Sequence, residues 1–168
     1  MIGIKSKTRL KGIFKVRCVR PDGSIRWQET VQNLVTNVGL NFLLDSGLNS
    51  TEAGTIYLGL KNAGSPAAGD TMSSHAGWTE NQNYDEATRP AWGQGAASSQ
   101  AVTNGTTADF TINTNSQTIA GIFATTNNTK GGTTGTLISA VDFSSSKAAD
   151  DNDVIQVTYT ISAADDGA

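Results

Sequence analysis

A chain of 168 residues with 12 Lys and Arg, 15 Asp and Glu, one His and one Cys is long enough for a single domain with a sizeable core. Hydrophobic residues make up 37 %, and the side chains that move protons, hold metals or attack substrates are scarce, so the composition argues against an enzyme, a metal protein or a disulfide framework. The net charge of −3 hides two poles: residues 1–26 carry Lys5, Lys7, Arg9, Lys11, Lys15, Arg17, Arg20 and Arg26 against Asp22 alone, while the rest holds four cations and fourteen acids.

No apolar stretch has the length of a secretory signal or a membrane span, so neither is expected. Lys5, Lys7, Arg9 and Lys11 alternate, which in an extended segment places four cations on one side, and residues 1–11 read as a basic N-terminal arm. Residues 12–32 read as a β-hairpin. Phe14, Val16 and Cys18 share one face, Lys15 and Arg17 the other, and Pro21-Asp22-Gly23-Ser24 supplies the turn before Ile25, Trp27, Glu29 and Val31 resume the period of two.

Leu34, Val35, Val38, Phe42 and Leu43 then recur at helical spacing, predicting one helix near 34–46 capped by Asn33 or Thr36. Gly39 inside that pattern costs about 1 kcal/mol relative to Ala and implies close packing against a strand. Residues 55–60 read as a buried strand, and 63–107 as a loop-rich insertion with a short strand in 78–84.

Beyond it, 108–113, 118–124, 137–143 and 154–161 alternate as strands, with turns at 127–132 and 150–153, and 164–168 form an acidic tail. The expected fold is mainly β, an antiparallel sandwich or jelly-roll-like barrel formed by 12–163.

Few residues invite a chemical role. His75 follows Ser73 and Ser74, but adjacent side chains do not meet as a catalytic triad must, and a histidine fixing its own loop is the better reading. Asp150, Asp151 and Asp153 offer oxygens to calcium but lack the glycine and distant Glu of a calcium loop. Lys130-Gly131-Gly132 lies between strands, so it reads as a hairpin turn rather than a phosphate loop.

Trp78, Tyr84 and Trp92 suit either a sugar-stacking platform or plugs that fasten loops to a core or a neighbour. The basic arm favours an acidic protein surface over nucleic acid, because only Phe14 is at hand to stack on bases. The expected partner-binding residues are therefore Lys5, Lys7, Arg9, Lys11, Trp78, Tyr84 and Trp92.

The phrases Asn33-Leu34-Val35-Thr36-Asn37-Val38-Gly39-Leu40-Asn41-Phe42-Leu43-Leu44-Asp45, Tyr57-Leu58-Gly59-Leu60-Lys61, Ala68-Gly69-Asp70-Thr71-Met72-Ser73-Ser74-His75-Ala76-Gly77-Trp78-Thr79-Glu80, Ala87-Thr88-Arg89-Pro90-Ala91-Trp92 and the Gly-Gly-Thr-Thr-Gly-Thr-Leu stretch at 131–137 are found in that order. Together, over roughly 30–163, they resemble small structural proteins of tailed bacteriophages, most of all capsid cement or decoration proteins. The resemblance implies a virion component on the capsid exterior, made in the host bacterial cytoplasm. It also implies no cofactor and no catalytic residue, with the major capsid protein and copies of itself as partners and no membrane. The rival expectation is a glycan-binding adhesion module on the tail or head exterior, using Trp78, Tyr84 and Trp92.

Overall fold

The structure, a computed structural model, describes residues 8–49 and 54–165. Lys5 and Lys7 lie outside the described residues, as does most of the expected acidic tail.

Two strands set the frame. β1 (Thr8–Val19) and the last strand, β10 (Val154–Asp165), pair antiparallel from Thr8 opposite Asp165 to Val19 opposite Val154. Arg9 and Lys11 therefore do not belong to a separate arm. A partner strand as long as β1 carries the ladder four residues past the expected domain start, so the sheet already includes Thr8, the first described residue. On the other side, β1 pairs with β2 (Ile25–Gln32) through a turn in which the Asp22 carboxylate accepts from the Ser24 N–H at 2.8 Å.

The helix is shorter than its apolar pattern. Leu34–Val35 form a two-residue strand, β3, and only Asn37–Leu44 form α1, continued by a π-helical turn over Asp45–Asn49. Thr36 sets the boundary: its hydroxyl accepts from the Gly39 N–H at 3.0 Å and donates to the Leu137 carbonyl, capping the helix while tying it to the sheet. Gly39 packs against the sheet as its position implied. A Cβ there would stand 2.1 Å from the Ile138 carbonyl oxygen.

The remaining strands are β4 (Tyr57–Lys61), β5 (Glu80–Asn81), β6 (Ala101–Thr103), β7 (Ala108–Thr111), β8 (Gln117–Thr125) and β9 (Leu137–Ala149). They complete two antiparallel sheets. The first is ordered β2-β1-β10, with β6 and β7 both on the far side of β10; the second is ordered β3-β9-β8-β4-β5. The fold is mainly β, a two-sheet sandwich with one short helix, as expected.

The inner faces supply the core. Phe14, Val16, Cys18, Ile155, Val157 and Tyr159 of the first sheet meet Leu58, Leu60, Ile122, Ala124 and Ile138 of the second. Each large side chain buried there contributes about 1.5–3 kcal/mol. Phe14 stacks on Tyr159 with centroids 4.0 Å apart, and the Tyr159 hydroxyl is satisfied by Asn33 at 2.8 Å and Ser139 at 3.0 Å. Burial nonetheless pushes the Tyr159 phenol up to about 12.

The chain between β4 and β7 closes one side of the sandwich. Glu80–Asn81 pair with β4, Tyr84 bridges to Ile112 beside the first sheet, and Trp92 returns so that its N–H donates to the Ile56 carbonyl at 2.7 Å. The expected loop-rich insertion is therefore a strap that binds both sheets, held by isolated bridges and side-chain hydrogen bonds.

Candidate functional site

The two outer faces treat charge in opposite ways. On the first sheet the period of two turns Phe14, Val16 and Cys18 inward and leaves Arg9, Lys11, Lys15 and Arg17 exposed, with Ile13 between the two pairs. Their cross-strand neighbours are Ala164, Ser162, Thr158 and Gln156 on β10, and Thr30 and Gln28 on β2, none of them charged. Among the described residues none of the four cations forms an ion pair, whereas Arg26, Lys61, Arg89 and Lys147 all do.

The carboxylates nearest the row do not neutralise it. Glu29 turns to the inner side, where it meets Lys147 at 2.9 Å and accepts from the Ser144 N–H at 2.6 Å. Burial raises its pKa, but these hydrogen bonds outweigh that and hold the carboxyl below its usual range. Arg17 Nε donates to Gln156 Oε1 at 2.7 Å, and Gln156 Nε2 in turn donates to Asp109 Oδ2 at 3.3 Å, so a neutral amide separates the guanidinium from Asp109. Around Lys15 and Arg17 the face sinks into an open groove of about 640 Å³ walled by Gln28, Glu29, Thr30, Gln156 and Thr158.

On the second sheet the outer face is covered. Trp78 and Met72 from the strap pack on Phe123, Leu137 and Ala140 as a second small core. The Lys61 side chain crosses above Gly121 to meet the Asp142 carboxylate, and its Nζ also donates to the Gly64 carbonyl at 2.6 Å. Glycine is needed there because a Cβ would stand 2.0 Å from the Val141 carbonyl oxygen and 3.0 Å from the Lys61 methylenes. Arg89, only 1 % exposed, holds Glu80 through both Nε and Nη2 at 2.8 Å and donates to the carbonyls of Asn127 and Gly132.

Three expected contact residues are thereby corrected. Trp78, Tyr84 and Trp92 are 3 %, 0 % and 3 % exposed. Trp78 Nε1 donates to Asp70 at 2.9 Å, Trp92 Nε1 donates to the Tyr159 carbonyl at 2.8 Å, and Tyr84 meets Phe110 edge-on at 5.1 Å. These rings anchor the strap to the core, so they present no stacking platform to a sugar.

The other sequence candidates have local partners. His75 stacks on Trp78 at 4.1 Å with Nδ1 3.0 Å from the Trp78 carbonyl, while Ser73 pairs with Thr71. Asp150 and Asp153 both engage Arg26, at 2.6 and 2.9 Å, and among the described residues no cluster of three His, Cys, Asp or Glu side chains is placed to hold a metal ion. Burial pushes the Cys18 thiol up to about 12, far from the reactive thiolate range.

Of the expected cations, Arg9 and Lys11 lie in the exposed row, and Lys15 and Arg17 extend it. The signal for that extension is the alternation from Arg9 to Arg17, in which only Ile13 interrupts the cations and which a division into arm and hairpin at residue 11 cuts in two. No family model, curated protein or solved structure matches this chain.

Proposed function

We propose that the chain is a non-enzymatic phage virion protein that binds the capsid exterior and stabilises the head shell as a cement or decoration protein, with the major capsid protein and neighbouring copies as partners. The observation that supports this reading is the row Arg9, Lys11, Lys15 and Arg17: positive charge left without ion pairs among the described residues on one face, while four other cations are paired. A row of this kind suits attachment to an acidic protein surface through many weak contacts, which a symmetric lattice multiplies by avidity. The scarcity of catalytic side chains and the resemblance of the ordered phrases between 30 and 163 point the same way. The glycan-binding alternative loses its support with the burial of its three rings.

The test is occupancy on purified particles. Replacing the four cations by Ser should lower attachment and flatten its dependence on ionic strength, because exposed charge contacts are screened by salt. Unchanged occupancy at both low and high salt overturns the reading.

A further inference from the structure

The groove on the outer face of the first sheet restricts what can occupy it. Its volume of about 640 Å³ falls within the roughly 300–1,000 Å³ of ligand sites, but its lining is unlike that of an apolar ligand pocket. Lys15 and Arg17 supply positive charge, Glu29 also lines the groove but commits its carboxylate to Lys147 and the Ser144 N–H, and Gln28, Thr30, Gln156 and Thr158 supply amides and hydroxyls that both donate and accept. No aromatic ring lines it, so bases have nothing to stack on, and single-stranded nucleic acid is disfavoured.

Spacing narrows the choice further. Same-face residues of a strand recur about every 6.8 Å, so Arg9 and Lys11 form one such step and Lys15 and Arg17 another, with Ile13 midway between the pairs. An extended peptide has the same repeat. The Nε hydrogen bond to Gln156 fixes the Arg17 guanidinium plane, and a carboxylate can then approach its remaining N–H groups in bidentate fashion. From Ile13 to Val19 the backbone of β1 is paired on both sides, with β2 and β10, so around Lys15 and Arg17 the occupant must lie over the side chains rather than add to a sheet edge; Thr8–Gly12 pair with β10 alone.

We propose that this groove and the row beyond it bind an extended acidic segment of a partner protein, with carboxylates at alternate positions in two pairs and an apolar residue midway, facing Ile13. The proposal rests on the reading of this face as the attachment surface and adds the chemistry of what attaches.

The experiment uses the full chain and fluorescence anisotropy with a labelled synthetic peptide of about nine residues, the extended length from Arg9 to Arg17. One peptide reads Asp-Ser-Asp-Ser-Leu-Ser-Asp-Ser-Asp; a second has the same composition with its aspartates in one block; single-stranded oligo-dT and heparin serve as other polyanions. The alternating peptide should bind at least about tenfold more tightly than the block peptide, and Lys15→Gln with Arg17→Gln should weaken it about tenfold or more, a loss set by charge-assisted contacts. Circular dichroism melts of the double variant should match the parent, since both side chains are exposed.

Equal binding of the two peptides, tighter binding of oligo-dT or heparin, or no saturable peptide binding overturns the proposal. If that happens while the protein still occupies particles through its cations, only the acidic-strand inference falls. If the peptide binds as expected but particle occupancy ignores the four cations, the attachment reading falls and the groove's specificity stands.

Discussion

The two outer faces of this sandwich are built from similar strands and reach opposite ends. On the second sheet the chain folds its own strap over the surface, buries Trp78, Met72 and Phe123, and brings Lys61 and Arg89 to carboxylates. Among the described residues the first sheet carries no such cover, and Arg9, Lys11, Lys15 and Arg17 remain exposed with no ion pair. A cation inside a covered face must be paired or it destabilises the fold, whereas a cation on a bare face adds little to stability and is free to serve another molecule. The contrast separates side chains that hold the protein together from those available for its partner.

The comparison is broken most severely at Arg89. Arg89→Ala leaves Glu80 buried without its cation and should cost about 3–5 kcal/mol, read by chemical denaturation. Trp78→Ala removes the lid from Phe123 and should cost about 3 kcal/mol or more, with faster hydrogen exchange across the strap than in β1 and β10. Gly39→Ala drives a methyl into the Ile138 carbonyl and should cost about 1–3 kcal/mol, most of it relieved if α1 shifts outward.

Smaller effects sharpen the contrast. The Glu29 carboxyl is held below the ordinary value of 4.5, so the stability it lends is fully present above that pH and is lost as pH falls through its lowered folded value. Glu29→Gln should therefore differ from the parent by up to about 1 kcal/mol in melts at pH 7, with the difference vanishing in acid. Smallest of all should be Lys15→Gln with Arg17→Gln, within about 0.5 kcal/mol of the parent. A larger loss would mean that the bare face also supports the fold.

Much of the architecture was legible in the sequence because strands and helices have periods. The hairpin, the helix with its packed Gly39 and the four later strands follow from alternation and spacing. Beyond the displaced ends of β1 and α1, two features escaped. β9 runs on to Ala149 through Ser144, Ser145 and Ser146, whose polar side chains give no alternation, because its end pairs with Gln117–Ile119. The strap carries almost no period at all, since it is held by Arg89 bonding to Glu80 and by Asn62, Asn81 and Asn104 bonding to backbone and side chains along it.

The same gap explains the mixed outcome at the candidate site. A tryptophan among small residues has the same local sequence whether it faces solvent or plugs a core, and burial depends on what folds over it. Charge alternation, by contrast, translates directly into a face. Arg9 and Lys11 could thus be placed on one side from the sequence alone, whereas Trp78, Tyr84 and Trp92 could not be placed inside.

The pairing of the first and last described strands has a mechanical consequence. Thr8 lies opposite Asp165, so both described ends leave from one corner, and the hydrogen bonds between β1 and β10 run across the strands rather than along them. Tension applied between those two ends would open the ladder rung by rung, like a zip. Load entering through the broad flank of β1 would instead be shared by all the rungs at once, so the sandwich is much better suited to being pressed or sheared through its side than to being pulled by its ends.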